Sequence, residues 1–248
     1  MTEGPSHQSV LALEDVAFNY GSTPIFTGLN LSIDKNHKII AIVGPSGVGK
    51  STLLKLLAGF EHPQSGRITV CGSNVTTPSA DRPVVFQDHN LFPWKSVAQN
   101  IEFGLKARGE SPQSRSQISG LLMQQMGLSE NADHLPRVLS GGMQQRVGLA
   151  RCLAVNPRCI LMDEPFSSID FRTKGTVVQH FLQHLQKSNS TAVLVTHDLV
   201  EAVTMASCVI TITARRSVDW LDLTEPQKSV TDGVDDKVAM VKGLLDDD

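Results

Sequence analysis

An apolar run, Ile39–Val43, passes through Gly44-Pro45-Ser46-Gly47-Val48-Gly49-Lys50-Ser51-Thr52 into a stretch carrying Leu53, Leu54, Leu56 and Leu57. No other segment constrains the fold as strongly. A continuous apolar run of this length specifies a strand covered on both faces, and leucines at helical spacing specify a helix. The pattern G-x-x-x-x-G-K-S between them lets backbone N–H groups curl around phosphate oxygens without Cβ clashes. The helix N-terminus adds positive potential at the same place. Lys50 would reach the β- and γ-phosphate oxygens, and the Ser51 hydroxyl would ligate Mg²⁺.

A second apolar strand, residues 159–162, ends in Asp163-Glu164. An acid at the carboxyl end of a buried strand sits where α/β sheets bind ligands. Asp163 is expected to hold Mg²⁺ through water, and Glu164 to polarise an attacking water as general base.

The rest of the chain repeats this alternation. Residues 11–16 and 29–33 alternate apolar and polar side chains, as half-buried strands do. Residues 192–195 form a further continuous apolar run. Ser96 followed by Gln99 reads as a capping box for a helix with Val97, Ile101 and Leu105 on one face. A helix is expected over residues 113–126, stopping at Gly127, and another from Ser140 to before Asn156-Pro157. Buried parallel-type strands alternating with helices specify an α/β fold.

The 248 residues are 40% hydrophobic and carry a formal charge of -3, ample for a buried core. That charge argues against a general electrostatic grip on nucleic acid. No apolar run is long enough to cross a bilayer, the first residues lack a signal-peptide pattern, and Cys71, Cys152, Cys159 and Cys208 form no CxxC pair. The expectation is a soluble cytoplasmic chain with free thiols. His7, His37, His62, His89 and His134 read as surface or loop residues, and His180 with His184 lacks the companions of a zinc site. Residues 216–248 hold nine acids against four bases. Residues 216–233 show no periodicity and read as an appended tail, while Val238, Val241, Leu244 and Leu245 follow helical spacing.

Leu139-Ser140-Gly141-Gly142-Met143-Gln144-Gln145-Arg146, lying between the glycine loop and the acidic strand end, resembles the signature of the ATP-binding cassette (ABC) ATPases. Met143 stands where many members have Gln. The resemblance implies a P-loop NTPase cassette with a RecA-like core, an antiparallel β subdomain and a helical subdomain. The core with its β subdomain would occupy residues 1–87 and 158–215, the helical signature subdomain 88–157, and an acidic tail 216–248.

Further positions fall into the family pattern. Tyr20 matches the aromatic that stacks on adenine, and Gln87 the Q-loop glutamine that contacts Mg²⁺. Asp170 matches the D-loop aspartate, and His197 the switch histidine that contacts the γ-phosphate. Two cassettes would pair head to tail, so that Ser140, Gly141 and Gly142 meet ATP held by the other cassette. The segment Leu91-Phe92-Pro93-Trp94 is similar to that of nitrate, sulfonate and taurine importer cassettes, where it grips a membrane permease. An importer subunit at the cytoplasmic face of the membrane is thereby implied, with an extracytoplasmic solute-binding protein as an indirect partner. A non-transport ABC ATPase, an export cassette and another importer type are the alternatives within the family.

Overall fold

The computed structural model describes residues 9–224 and 233–246. In chain order the elements begin with β1 (Ser9–Tyr20), β2 (Thr23–Asp34), β3 (Ile39–Val43), α1 (Lys50–Ala58), β4 (Ser65–Val70) and β5 (Ser73–Asn74). Then come β6 (Val84–Val85), α2 (Val97–Ala107), α3 (Pro112–Gln125), α4 (Gly141–Ala154), β7 (Cys159–Asp163) and α5 (Phe171–Ser188). The chain closes with β8 (Thr191–Val195), α6 (Leu199–Met205), β9 (Cys208–Ile212), β10 (Val218–Asp222) and α7 (Val234–Asp246). They divide into two compact units: residues up to Ser79 together with those from Thr191 onward, and Ala80–Ser190.

The first unit holds two sheets. An antiparallel sheet runs β2-β1-β4-β5; β2 alternates buried and exposed residues from Leu29 to Asp34 as its two-residue period requires, whereas β1, between two strands, buries Val10 to Leu13 in succession, against the alternation expected over residues 11–16. In the other, β3 lies between β8 and β9 with all three parallel, and β10 adds antiparallel to β9. Every residue of β3, β8 and β9 is buried, which is why these strands read as unbroken apolar runs. Helix α1 packs on β4 and β8. It ends at Gly59 in the left-handed conformation, whose N–H bonds to the Leu56 carbonyl.

Two sequence expectations need correction here. Val218–Asp222 is a strand paired along its whole length with β9, not an unpatterned tail. A short edge strand with acids at Asp219 and Asp222 carries too little apolar alternation to announce itself. His37 is not a surface residue but is 4% exposed. Its Nε2 lies 3.6 Å from the Asp222 carboxylate and its ring 6.1 Å from that of Trp220. Strand β10 supplies this cover, so His37 could be placed only once β10 was. The expected C-terminal helix is present as α7, which packs on α6 and β9 with Val241 fully buried. His7 and residues 225–232 lie outside the described residues.

In the second unit, β6 and β7 pair in parallel, and α4 packs against β6 and against α2 and α3. The capping box of α2 is formed: the Gln99 amide donates to Ser96 Oγ (3.3 Å) and the Ser96 amide to Gln99 Oε1 (3.1 Å). Asn100, fully buried one turn later, fastens the preceding loop. Its Oδ1 accepts from the Phe92 amide (2.9 Å), and its Nδ2 donates to the carbonyls of Phe92, Lys95 and Ser96 at 3.0–3.2 Å. Replacing Asn100 with Ala takes this partner from the Phe92 amide and the Lys95 carbonyl, while the Phe92 and Ser96 carbonyls keep the amides of Lys95 and residue 100. Chemical denaturation of Asn100→Ala should show a loss of about 1–3 kcal/mol, the desolvation cost of unmade buried bonds.

Candidate functional site

Both units gather their motif residues at the carboxyl ends of paired parallel strands. In the first unit Ile42 of β3 pairs with Val195 of β8, and the Thr196 amide donates to the Ile42 carbonyl at 3.2 Å. Gly44 and His197 therefore leave the sheet side by side. The glycine loop has Gly44, Gly47 and Gly49 at φ of +153°, +81° and +120°. A Cβ on Gly44 would lie 2.2 Å from the Ile212 carbonyl oxygen, and one on Gly49 2.9 Å from an Ile25 methyl. Only glycine fits either place.

Helix α1 begins directly at Lys50, with no side-chain cap and no acid in its first turn. The helix dipole makes an anion the preferred ligand at such a start. The Lys50 ammonium donates to the Gly44 and Pro45 carbonyls (2.8 and 2.6 Å), lying along the loop it would serve. Ser46, Gly47 and Ser51 are exposed, with Thr52 half-buried behind them. The residues present fit a phosphate chain. On the antiparallel sheet, Tyr20 is 42% exposed and stands edge-on to Phe18 at 4.9 Å, its hydroxyl donating to Glu61 at 3.3 Å. His197 is exposed, on a turn closed by the Asp198 amide donating to Thr196 Oγ1 (3.1 Å), and Asp198 caps α6.

In the second unit Val85 of β6 pairs with Met162 of β7, so Gln87 and Asp163-Glu164 also emerge side by side. Glu164 has φ +48°, a left-handed conformation that costs a non-glycine residue about 1 kcal/mol or more. Three donors converge on its carbonyl: Gln145 Nε2 (2.8 Å), Ser167 Oγ (3.0 Å) and the Ser167 amide (3.3 Å). Beyond Gln87, both His89 and Asn90 have positive φ, and their carbonyls accept from the Arg151 guanidinium of α4 at 3.3 and 2.8 Å. Burial pulls the His89 imidazole below its usual pKa, against the opposite pull of Asp88.

The signature segment leads into α4. Ser140 is its N-cap, accepting from the Met143 amide at 3.3 Å, and Ser140 and Gly141 are exposed. A Cβ on Gly142 would lie 2.7 Å from the Ser168 carbonyl oxygen, so that carbonyl and the signature touch. Asp170 caps α5 by accepting from the Thr173 amide at 3.1 Å. The Thr173 hydroxyl holds its carboxyl below the usual range, with the Thr173 and Arg172 amides and nearby Arg146 adding to the effect.

Gln145, Asn100 and Arg151 went unnoticed as functional candidates in the sequence. A glutamine inside a signature-like run carries no outward sign that its amide is buried and used at both ends. Burial pushes the Cys152 thiol up to about 11 and the Cys208 thiol to about 12, so neither is a nucleophile at neutral pH.

Comparison with known proteins decides the family. The ABC transporter family profile matches residues 26–167. The chain belongs to the ABC transporter family. It is 42% identical over 204 residues to the nitrate import ATP-binding protein NrtD of Synechocystis, covering 82% of this chain and 76% of that one. It is 40% identical over 224 residues to the taurine import ATP-binding protein TauB of Pseudomonas entomophila, covering 89% and 86%. Among solved structures it matches the dimeric bacterial ABC transporter cassette MJ0796 with a TM-score of 0.78 at 28% identity, over 87% of this chain and 99% of that one. A post-hydrolysis dimer of that cassette bound to ADP and Pi matches with a TM-score of 0.73 at 29% identity, over 81% and 93%. This ABC cassette is an ATPase. Gly142→Ala should drive the Ser168 carbonyl from its place; steady-state phosphate release should fall at least about tenfold, while affinity for a fluorescent ATP analogue stays unchanged.

Proposed function

We propose that this cassette is the ATP-hydrolysing subunit of an importer for a small anion of the nitrate, sulfonate or taurine kind. The observation that carries the reading is its 40–42% identity to import ATP-binding proteins for nitrate and taurine. In support, Phe92, Trp94 and Phe103 form an aromatic cluster on the second unit, with Trp94 and Phe103 exposed around a half-buried Phe92. Ring centroids stand 5.9 Å apart for Phe92–Trp94 and 4.3 Å for Phe92–Phe103, and Trp94 is 71% exposed. Exposed aromatics held rigid by a buried anchor such as Asn100 suit a protein interface. The partner is a multi-spanning permease gripped around Phe92, Pro93 and Trp94, at the cytoplasmic face of the membrane. Its extracytoplasmic binding protein presents the solute. No helix among the described residues is long and apolar enough to cross a membrane, so attachment would come through such a partner.

Hydrolysis takes place in a pair of these cassettes. Tyr20 stacks on adenine, while the amides of Gly44 to Thr52 and the Lys50 ammonium hold the phosphates. Ser51 of the first unit and Gln87 and Asp163 of the second each carry an oxygen donor of the kind Mg²⁺ takes and would hold it, and the ion would neutralise charge on the phosphate oxygens. Glu164 takes a proton from the attacking water, and His197 orients the γ-phosphate. Ser140, Gly141 and Gly142 meet the γ-phosphate of ATP held by the second copy, and Asp170 shapes the turn between them. Catalysis is then mostly positioning and charge stabilisation.

Two experiments test this. Glu164→Gln should bind ATP yet accumulate as an ATP-bound dimer on size-exclusion chromatography; full turnover would remove Glu164 as base. Affinity capture of the chain from detergent-solubilised native membranes should recover a multi-spanning protein in near-equal amount. Trp94→Ala should reduce that recovery without changing ATP binding. Recovery of the chain only from the soluble fraction would overturn the importer reading.

A further inference from the structure

We infer that Gln145 is a positioning residue for hydrolysis, fixing the backbone of Glu164 and tying it to the signature helix. The inference rests on the reading of Glu164 as general base. Gln145 is 1% exposed, and both ends of its amide are engaged. Its Nε2 donates to the Glu164 carbonyl (2.8 Å) and its Oε1 accepts from the Ser168 amide (3.0 Å). One side chain thereby bridges the residue after β7 and the turn that leads to α5.

Each observation bears on the direction of the Glu164 carboxylate. At φ +48° the residue sits in a conformation that side chains disfavour, so it persists only where its surroundings over-determine it. The carbonyl with three donors is that determinant, and the Gln145 bond is the shortest of them and the only one from outside the turn. A buried neutral amide serves both partners without bringing charge beside the acid. Packing pins the other side: Phe166 is fully buried with its ring 5.8 Å from that of Phe181 in α5. Released from Gln145, residue 164 relaxes toward an ordinary conformation, and its carboxylate swings away from the water it must orient. At 1% exposure Gln145 is shut away from the surface and acts through Glu164.

The test is steady-state ATP hydrolysis by the purified full-length chain, with kcat and KM separated. Gln145→Leu, which keeps the volume and removes both bonds, should lower kcat about 10–100-fold, the cost of a misplaced catalytic group, with KM for ATP within about twofold of the parent. In a Glu164→Gln background the same change should lower residual turnover no further, because the group being positioned is already disabled. Ser167→Ala removes one of the three donors from an exposed site where folding is not at risk, and should lower kcat about threefold with KM unchanged. That variant decides the matter if Gln145→Leu fails to fold. Parental kcat in Gln145→Leu, or in Ser167→Ala where only that variant folds, overturns the inference. An equal further loss in the Glu164→Gln background does so as well. If Glu164→Gln alone keeps full turnover, the assignment of Glu164 falls, and this inference with it; loss in Glu164→Gln beside full turnover in Gln145→Leu removes only the role of Gln145.

Discussion

A turn with no room for a side chain governs this molecule. At Gly44 the backbone passes so close to the Ile212 carbonyl that a Cβ would sit 2.2 Å away, and at Gly49 the walls are Ile25 and Phe26. The tight loop aims the start of α1 at whatever occupies the loop. Buried β3 between β8 and β9 keeps the loop rigid, since shifting it would open a fully apolar core. His197 follows from the same pairing, because β8 ends in register with β3. The phosphate cradle is thus a property of parallel pairing before it is one of any single residue.

The second unit solves a different problem, holding irregular backbone in place beside regular elements. It does so with long polar side chains reaching from helices to carbonyls. Asn100 from α2 secures Phe92 to Ser96, Arg151 from α4 secures His89 and Asn90, and Gln145 from α4 secures Glu164 and Ser168. Arg146 adds bonds to the carbonyls of Met126 and Gly127 at the end of α3. The bonds of Asn100 answer the requirement that backbone groups cut off from water find partners, while those to Asn90 and Gly127 pin backbone at exposed positions. The loops that carry chemistry are therefore fastened to the helix whose first turn is the signature.

Much of this was legible in the chain. Apolar runs at 39–43, 159–162 and 192–195 became buried strands because periodicity and two-sided burial are the same fact seen twice. The caps at Ser96 and Ser140 were equally readable, since capping is local chemistry. Strand β10 was not, because its pairing depends on β9 and its own residues barely alternate. His37 was misread in consequence. Gln145 and Asn100 stayed hidden for another reason: an amide buried by tertiary contact looks the same in sequence as one facing water. The glycine loop and the signature were legible as motifs, and the residues that hold them in shape were not.

The uncapped start of α1 has a consequence for how the empty and filled cassettes compare. An ordinary helix satisfies its first amides with a serine or aspartate of its own, as α2, α4 and α5 do here. In α1 that place is vacated in favour of a guest. Any acid introduced at the head of this helix would act as a tethered competitor, steadying the protein alone while weakening its hold on nucleotide. At this one helix start, stability and affinity would draw on the same few N–H groups.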